Sequence, residues 1–175
     1  SWADDTICFQ TRESGPLRVN RRADLLELDF PARPARPITP PAGLDAMLGV
    51  SAGQVLDSAE DLLVVMEDEE AVLQARPDFT ALTTLAWRGI IITAPGRRSD
   101  FVSRFFGPAV GVAEDPVTGS AHCVLTPYWS AILDKKELYA LQVSQRGGEL
   151  WCQEAGERVN IRGRAVLYLQ GVITI

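Results

Sequence analysis

The chain has 175 residues, 46% of them hydrophobic and 23% charged, which is the balance of a globular protein long enough for a substantial core. Its formal net charge of −6 argues against nucleic acid or an anionic membrane surface as a partner. No apolar run approaches a membrane span and no secretory signal pattern is present, so a cytoplasmic location is expected, and the three widely spaced cysteines (Cys8, Cys123, Cys152) read as free thiols.

The chain opens Ser1-Trp2-Ala3-Asp4-Asp5 without an initiator Met, and residues 6–11 read at once as a strand. A domain that opens mid-sheet predicts that residue 1 is not the gene's first residue. Residues 17–20 form a second strand, joined to the first across Glu13-Ser14-Gly15-Pro16, a turn cluster suited to a hairpin. Residues 25–30 set Leu26, Leu28 and Phe30 against Leu25, Glu27 and Asp29, the period of a half-buried strand. Residues 31–41 hold five prolines and read as a stiff connector in which Arg33 and Arg36 are solvated charges. A short helix over 44–48 and strands over 54–57 and 61–66 follow. Residues 68–75 have helical spacing, and the acidic run Glu67–Glu70 reads as a dipole-complementing helix start rather than a metal site. Pro77 is expected in the first turn of another helix, with Phe79, Leu82 and Leu85 on one face. Residues 89–94 are a wholly apolar strand, and 100–106 a strand leading to the central motif. Beyond 133, strands over 138–144, 149–153 and 158–162 form an antiparallel meander. A last strand over 165–175, broken at Gly171, is expected to cross between sheets.

The central stretch is Glu114-Asp115-Pro116-Val117-Thr118-Gly119-Ser120-Ala121-His122. Pro116 fixes its own φ and pushes Asp115 towards an extended backbone. Thr118 is placed to cap a helix whose apolar residues (Ala121, Val124, Leu125, Tyr128, Trp129, Ile132, Leu133) recur at helical spacing with few polar residues between them. A helix apolar nearly all round is buried, so its first amides open at the mouth of a core and can hold an anion. Strands outnumber helices. The fold class predicted is α+β: a mostly antiparallel curved sheet or barrel closed around a central buried helix.

This motif resembles that of the PhzF family, named for phenazine biosynthesis. The likeness extends to Asp100-Phe101-Val102-Ser103-Arg104-Phe105-Phe106, to Gln142-Val143-Ser144-Gln145-Arg146-Gly147-Gly148-Glu149-Leu150, to Gly163-Arg164-Ala165-Val166, and upstream to residues 11–17 and 28–32. The resemblance implies a fold similar to diaminopimelate epimerase, with two pseudo-symmetric lobes and a site in the cleft between them. Residues 1–175 would then be the C-terminal portion, one full lobe plus part of a second. It also implies an isomerase that moves a proton between carbons of a small carboxylate-bearing substrate without metal or organic cofactor. Asp115 and Ser120 match the family's catalytic aspartate and serine, while the family's glutamate base lies in the first lobe, for which this sequence has no matching segment. The family's thiol-using relatives place a cysteine just ahead of a Thr-Gly pair, where Asp115, Pro116 and Val117 stand here.

The chemistry expected follows from those parts. The amides of Gly119, Ser120 and Ala121 hold a carboxylate or developing enolate, and Thr118, Ser120 and His122 complete the substrate-binding set. Asp115 accepts from a substrate amine or hydroxyl. Each residue also has a plain reading: Asp115 and Ser120 as local caps, His122 as packing at a buried helix start. Two functions remain open, half of a PhzF-like isomerase, inactive without the first lobe, or a non-catalytic small-acid-binding or interaction module. A homodimer or association with the first lobe is the expected assembly.

Overall fold

The computed structural model describes residues 6–12 and 15–172. In chain order the elements are β1 (Thr6–Gln10), β2 (Pro16–Arg22), β3 (Leu25–Pro31), β4 (Arg36–Pro37), α1 (Leu44–Leu48), β5 (Gln54–Asp57) and β6 (Asp61–Val65). There follow α2 (Glu69–Gln74), α3 (Phe79–Leu82), β7 (Gly89–Pro95), β8 (Phe101–Gly107), β9 (Val112–Asp115), α4 (Gly119–Leu133), β10 (Glu137–Gln142), β11 (Gly148–Ala155) and β12 (Arg158–Gly163). The strands make one sheet in the order β1-β2-β3-β12-β11-β10-β8-β7-β6-β5-β4, with β9 added beside β8. Pairing is antiparallel except between β10 and β8 and between β6 and β7.

The sheet curves around α4. Leu28 and Phe30 of β3, Ile161 of β12, Cys152 of β11, Ala140 of β10, Phe101 of β8, Ile91 of β7, Leu63 of β6 and Leu56 of β5 all pack into the core that holds Val124, Leu125 and Trp129. Trp129 stacks on Phe101 with ring centroids 5.7 Å apart and donates its indole N–H to Thr93 Oγ1, so its one polar atom is satisfied in the interior. Tyr128 does the same at the rim, its hydroxyl donating to Gln54 Oε1. The fold is therefore α+β, a curved, mostly antiparallel sheet about a buried helix. Among the described residues it is not closed into a barrel: β1 and β4 are the end strands of the sheet. β4 is two residues long and lies in the proline-rich connector, where missing N–H groups stop a ladder from extending.

β5–β8 also carry a second core on their outer face, where Leu62, Val64, Ile90, Ile92 and Phe106 pack with Leu48, Val72 and Leu82 of the short helices. That is why β7 is apolar on both faces. Pro127 sits inside α4 and offers no N–H to the carbonyl of Cys123 four residues back. The backbone N–H of Arg33 takes that carbonyl at 2.9 Å, stitching the connector to the helix. The acidic run serves the start of α2: Asp68 caps it through Ala71 N, and Glu69 accepts from Arg97 N. Among the described residues no group of three or more potential ligands gathers around a metal-sized space.

Several expectations fail for identifiable reasons. Residues 164–172 form no strand; the apolar run Ala165–Leu169 is strand-like, but no described strand pairs with it, and residues 173–175 lie outside the described set. Pro77 lies ahead of α3, which Asp78 caps by accepting from Ala81 N. Arg33 is not merely solvated, because it pairs with Glu60. The far end of α4 emerges from the sheet, leaving Ile132 59% exposed. Glu13 and Ser14 of the expected hairpin turn lie outside the described residues, although Thr11 N reaches Gly15 O across them.

Gly148 opens β11 where the central motif crosses it, and a Cβ there would run into the Val117 side chain. Gly148→Ala is expected to lower stability by about 1–3 kcal/mol, with Val117→Ala in the same chain recovering part of the loss. Urea midpoints of the parent and both variants check this. A Gly148→Ala protein as stable as the parent would contradict the packing described.

Candidate functional site at the start of α4

β9 ends at Asp115, Pro116 breaks the strand, and α4 begins at Gly119. Between them Thr118 has the extended backbone of an N-cap (φ −116, ψ 102), but its side chain makes no capping bond. Its hydroxyl donates instead to Asp115 Oδ2 at 2.7 Å. This corrects the expected cap, and it leaves the first amides of α4 without a side-chain partner. Gln142, at the end of β10 and 1% exposed, fixes the turn. Its Oε1 accepts from Thr118 N–H at 2.8 Å, and its Nε2 donates to the Asp115 carbonyl at 2.7 Å and to Thr118 Oγ1 at 3.1 Å. Ser144 Oγ adds a bond to the Pro116 carbonyl.

Asp115, Thr118 and Ser120 line a cleft of about 250 Å³ together with Arg88, Phe105, Val110 and Val112. Arg88 precedes β7 and is gripped by Asp61, whose side chain is fully buried: Nη2 lies 2.6 Å from Oδ2 and Nε lies 3.0 Å from Oδ1. That bond raises the guanidinium's already high pKa against the opposing effect of burial. The same Nη2 donates to Ser120 Oγ at 3.2 Å. Accepting from Arg88 leaves the Ser120 hydroxyl proton available to the cleft. Gly89 is required beside this pair, because a Cβ would strike the Phe105 ring and lie 2.9 Å from Asp61 Oδ1.

The other expected residues divide. Gly119 borders a separate, roomier hollow of about 600 Å³ together with Val117 and Gly148. Asp115, Thr118, Ser120 and Arg88 meet in the smaller cleft, while Arg146, Glu149 and Arg164 line the larger one. Ala121 is buried, so only its amide is relevant. His122 is fully buried against Phe101, with Nδ1–H bonded to the Thr118 carbonyl at 2.8 Å and Nε2 lacking a partner among the described residues. Its side chain therefore does not line the described cleft and sits in the packed interior, the plain role also expected for it. Burial pushes its pKa down to about 4. Glu114 is held by Arg104 through both oxygens. Burial raises the Cys123 thiol to about 11 and the Cys152 thiol to about 12, so neither is a thiolate at neutral pH.

Sequence reasoning missed Arg88, Asp61 and Gln142. The available signal was weak: a lone charge at the head of each of two otherwise apolar strands, and a glutamine at the end of a third.

A curved, mostly antiparallel sheet about a buried helix is a fold that solved structures of other proteins share. A solved predicted epimerase of Pseudomonas aeruginosa shares that fold, with a TM-score of 0.68 at 22% identity over 93% of this chain and 65% of its own. The chain belongs to the PhzF family: the model for phenazine biosynthesis-like proteins matches residues 13–171. A PhzF-family crystal structure from Enterococcus faecalis is 40% identical, with a TM-score of 0.92, covering all of this chain and 67% of that one. An uncharacterized isomerase of P. aeruginosa is 56% identical over 162 residues, 93% of this chain and 62% of the relative. The chain thus spans about two thirds of the length of the curated relatives it matches. Among the described residues, no helix is long and apolar enough to cross a membrane.

His122 gives the site a pH signature. Unfolded, an imidazole takes up a proton near pH 6.5; in the fold it does so only near 4. Between those values the unfolded chain binds more protons, so stability rises with pH and levels off above 6.5. This one group should remove about 3 kcal/mol as pH falls from 6.5 to 4. Comparing urea midpoints across that window in the parent and in His122→Gln should show the slope reduced in the variant. Equal slopes would place His122 in contact with water.

Proposed function

We propose that the cleft at the start of α4 holds a small carboxylate-bearing substrate for transfer of a proton between carbons, as the substrate-orienting part of a cofactor-independent, PhzF-like isomerase. One observation carries the reading: the Thr118 hydroxyl is turned to Asp115, so among the described residues no side chain caps the amides at Gly119–Ala121, next to the cleft-lining Thr118 and Ser120. The helix dipole and these amides receive the carboxylate, and Ser120, polarised by Arg88, donates a further hydrogen bond. Asp115 accepts from a neighbouring amine or hydroxyl of the substrate and sets its orientation.

The base is assigned to a group beyond the described cleft. Glu114 is engaged by Arg104, His122 is buried and neutral, and the buried thiols hold their protons. Family resemblance supplies a glutamate from the first lobe, and this chain spans about two thirds of its relatives' length. On this reading residues 1–175 bind and orient, and turnover needs the rest of the family's fold. The apolar segment with Val166 91% and Tyr168 99% exposed is the surface that the other lobe, or a second copy in a homodimer, would cover. A cytoplasmic location completes the proposal.

Titrating acetate into ¹⁵N-labelled protein tests the binding step. The Gly119, Ser120 and Ala121 amides should shift, Ser120→Ala should weaken the response, and residues 33–38 of the connector should stay unmoved. Silent amides would remove the anion site. Supplying the remaining lobe in trans should raise isomerisation by at least ~10²–10⁴-fold, the usual contribution of a positioned acid or base. Binding without turnover in the complete protein would favour a non-catalytic acid-binding module.

A further inference from the structure

We propose that Gln142 is a positioning residue that acts through Thr118 to fix the direction in which Asp115 presents its free carboxylate oxygen. The argument rests on counting protons. A primary amide has one acceptor oxygen and two N–H donors, and here all are engaged. Thr118 N–H can only donate, so it must face Oε1 at 2.8 Å; the Asp115 carbonyl can only accept, so it must face Nε2 at 2.7 Å. These two bonds exclude the flipped amide.

With the amide fixed, the second Nε2 proton points at Thr118 Oγ1, 3.1 Å away. The threonine oxygen is therefore an acceptor from Gln142, and its single proton is released to Asp115 Oδ2 at 2.7 Å. Threonine is β-branched and stiff about χ1, so the hydroxyl has little freedom to turn elsewhere. Oδ2 is thereby occupied, while Oδ1 has no hydrogen-bond partner among the described residues and belongs to a side chain on the cleft wall. Polarity runs one way, from the Gln142 amide through the Thr118 hydroxyl to Asp115.

Both ends of this relay are anchored in the sheet. Gln142 pairs with Ser103 of β8 and with Gly148 of β11, while Asp115 pairs with Phe105 of the same β8. At 1% and 6% exposure, Gln142 and Thr118 are shielded from water that would otherwise compete for these bonds. The relay needs only the fold, whereas its use in orienting substrate rests on the function proposed above.

The test is the Asp115 rotamer in the full-length gene product, read from three-bond couplings between its backbone nuclei and Cγ. The parent and Thr118→Ser, which keeps the hydroxyl, should hold one staggered rotamer. Thr118→Val and Gln142→Leu should show averaging over several rotamers while the amide spectrum stays dispersed. Asp115 remaining in a single rotamer in Thr118→Val would overturn the proposal, and that variant decides alone should Gln142→Leu not fold. Loss of the fixed rotamer in Thr118→Ser would also overturn it. Acetate titration of the parent separates the two levels: silence there defeats the proposed function, and the couplings still decide the relay.

Discussion

The hydrogen bond from Thr118 to Asp115 is the interaction on which the site depends. A threonine before a glycine and a buried helix would ordinarily close that helix with its own hydroxyl. Here the hydroxyl is oriented by Gln142 and spent on a carboxylate. The helix start keeps its amides free of that hydroxyl, and Asp115, Thr118 and Ser120 all line one cleft. Removing the hydroxyl would free the carboxylate while leaving the helix no better capped.

That arrangement is possible only because the first three turns of α4 are held against strand residues from β3 round to β5. Enclosure brings Gln142 at the end of β10, and Arg88 with Asp61 at the heads of β7 and β6, to the same helix end. It also determines which groups are chemically silent. His122 and Cys123 follow directly after the motif, yet helix periodicity turns their side chains into the core, where burial keeps the imidazole neutral and the thiol protonated. Burial thus keeps the Cys123 and Cys152 thiols protonated, and on the proposed function the remaining polar groups would hold and orient a substrate.

The helix itself was legible in the sequence, down to its Gly119–Leu133 limits, because its apolar spacing and the Pro-Val-Thr-Gly opening are local signals. The wholly apolar β7 was legible for the same reason. What local pattern could not supply was partnership across the sheet. Arg88 meets Asp61 and Ser120 over separations of 27 and 32 residues, and Gln142 reaches Thr118 over 24. No spacing rule connects such pairs before the strand order is known. The same limit explains residues 165–172: an apolar run describes a strand that could form, while pairing needs a neighbour that the run does not reveal. Capping was misjudged because Thr118 had a competing acceptor three residues back, and residue type alone does not say which bond prevails.

Solvent-deuterium incorporation tests the central claim most directly. The full-length gene product would be incubated in D₂O with small carboxylic acids carrying an amine or hydroxyl, and carbon-bound deuterium followed by mass spectrometry and NMR. With a substrate that the parent labels, Asp115→Asn should label at least ~10²-fold more slowly, the scale of losing a correctly oriented substrate. Labelling by Asp115→Asn at the parent's rate would contradict the account and remove the cleft at the start of α4 from the chemistry.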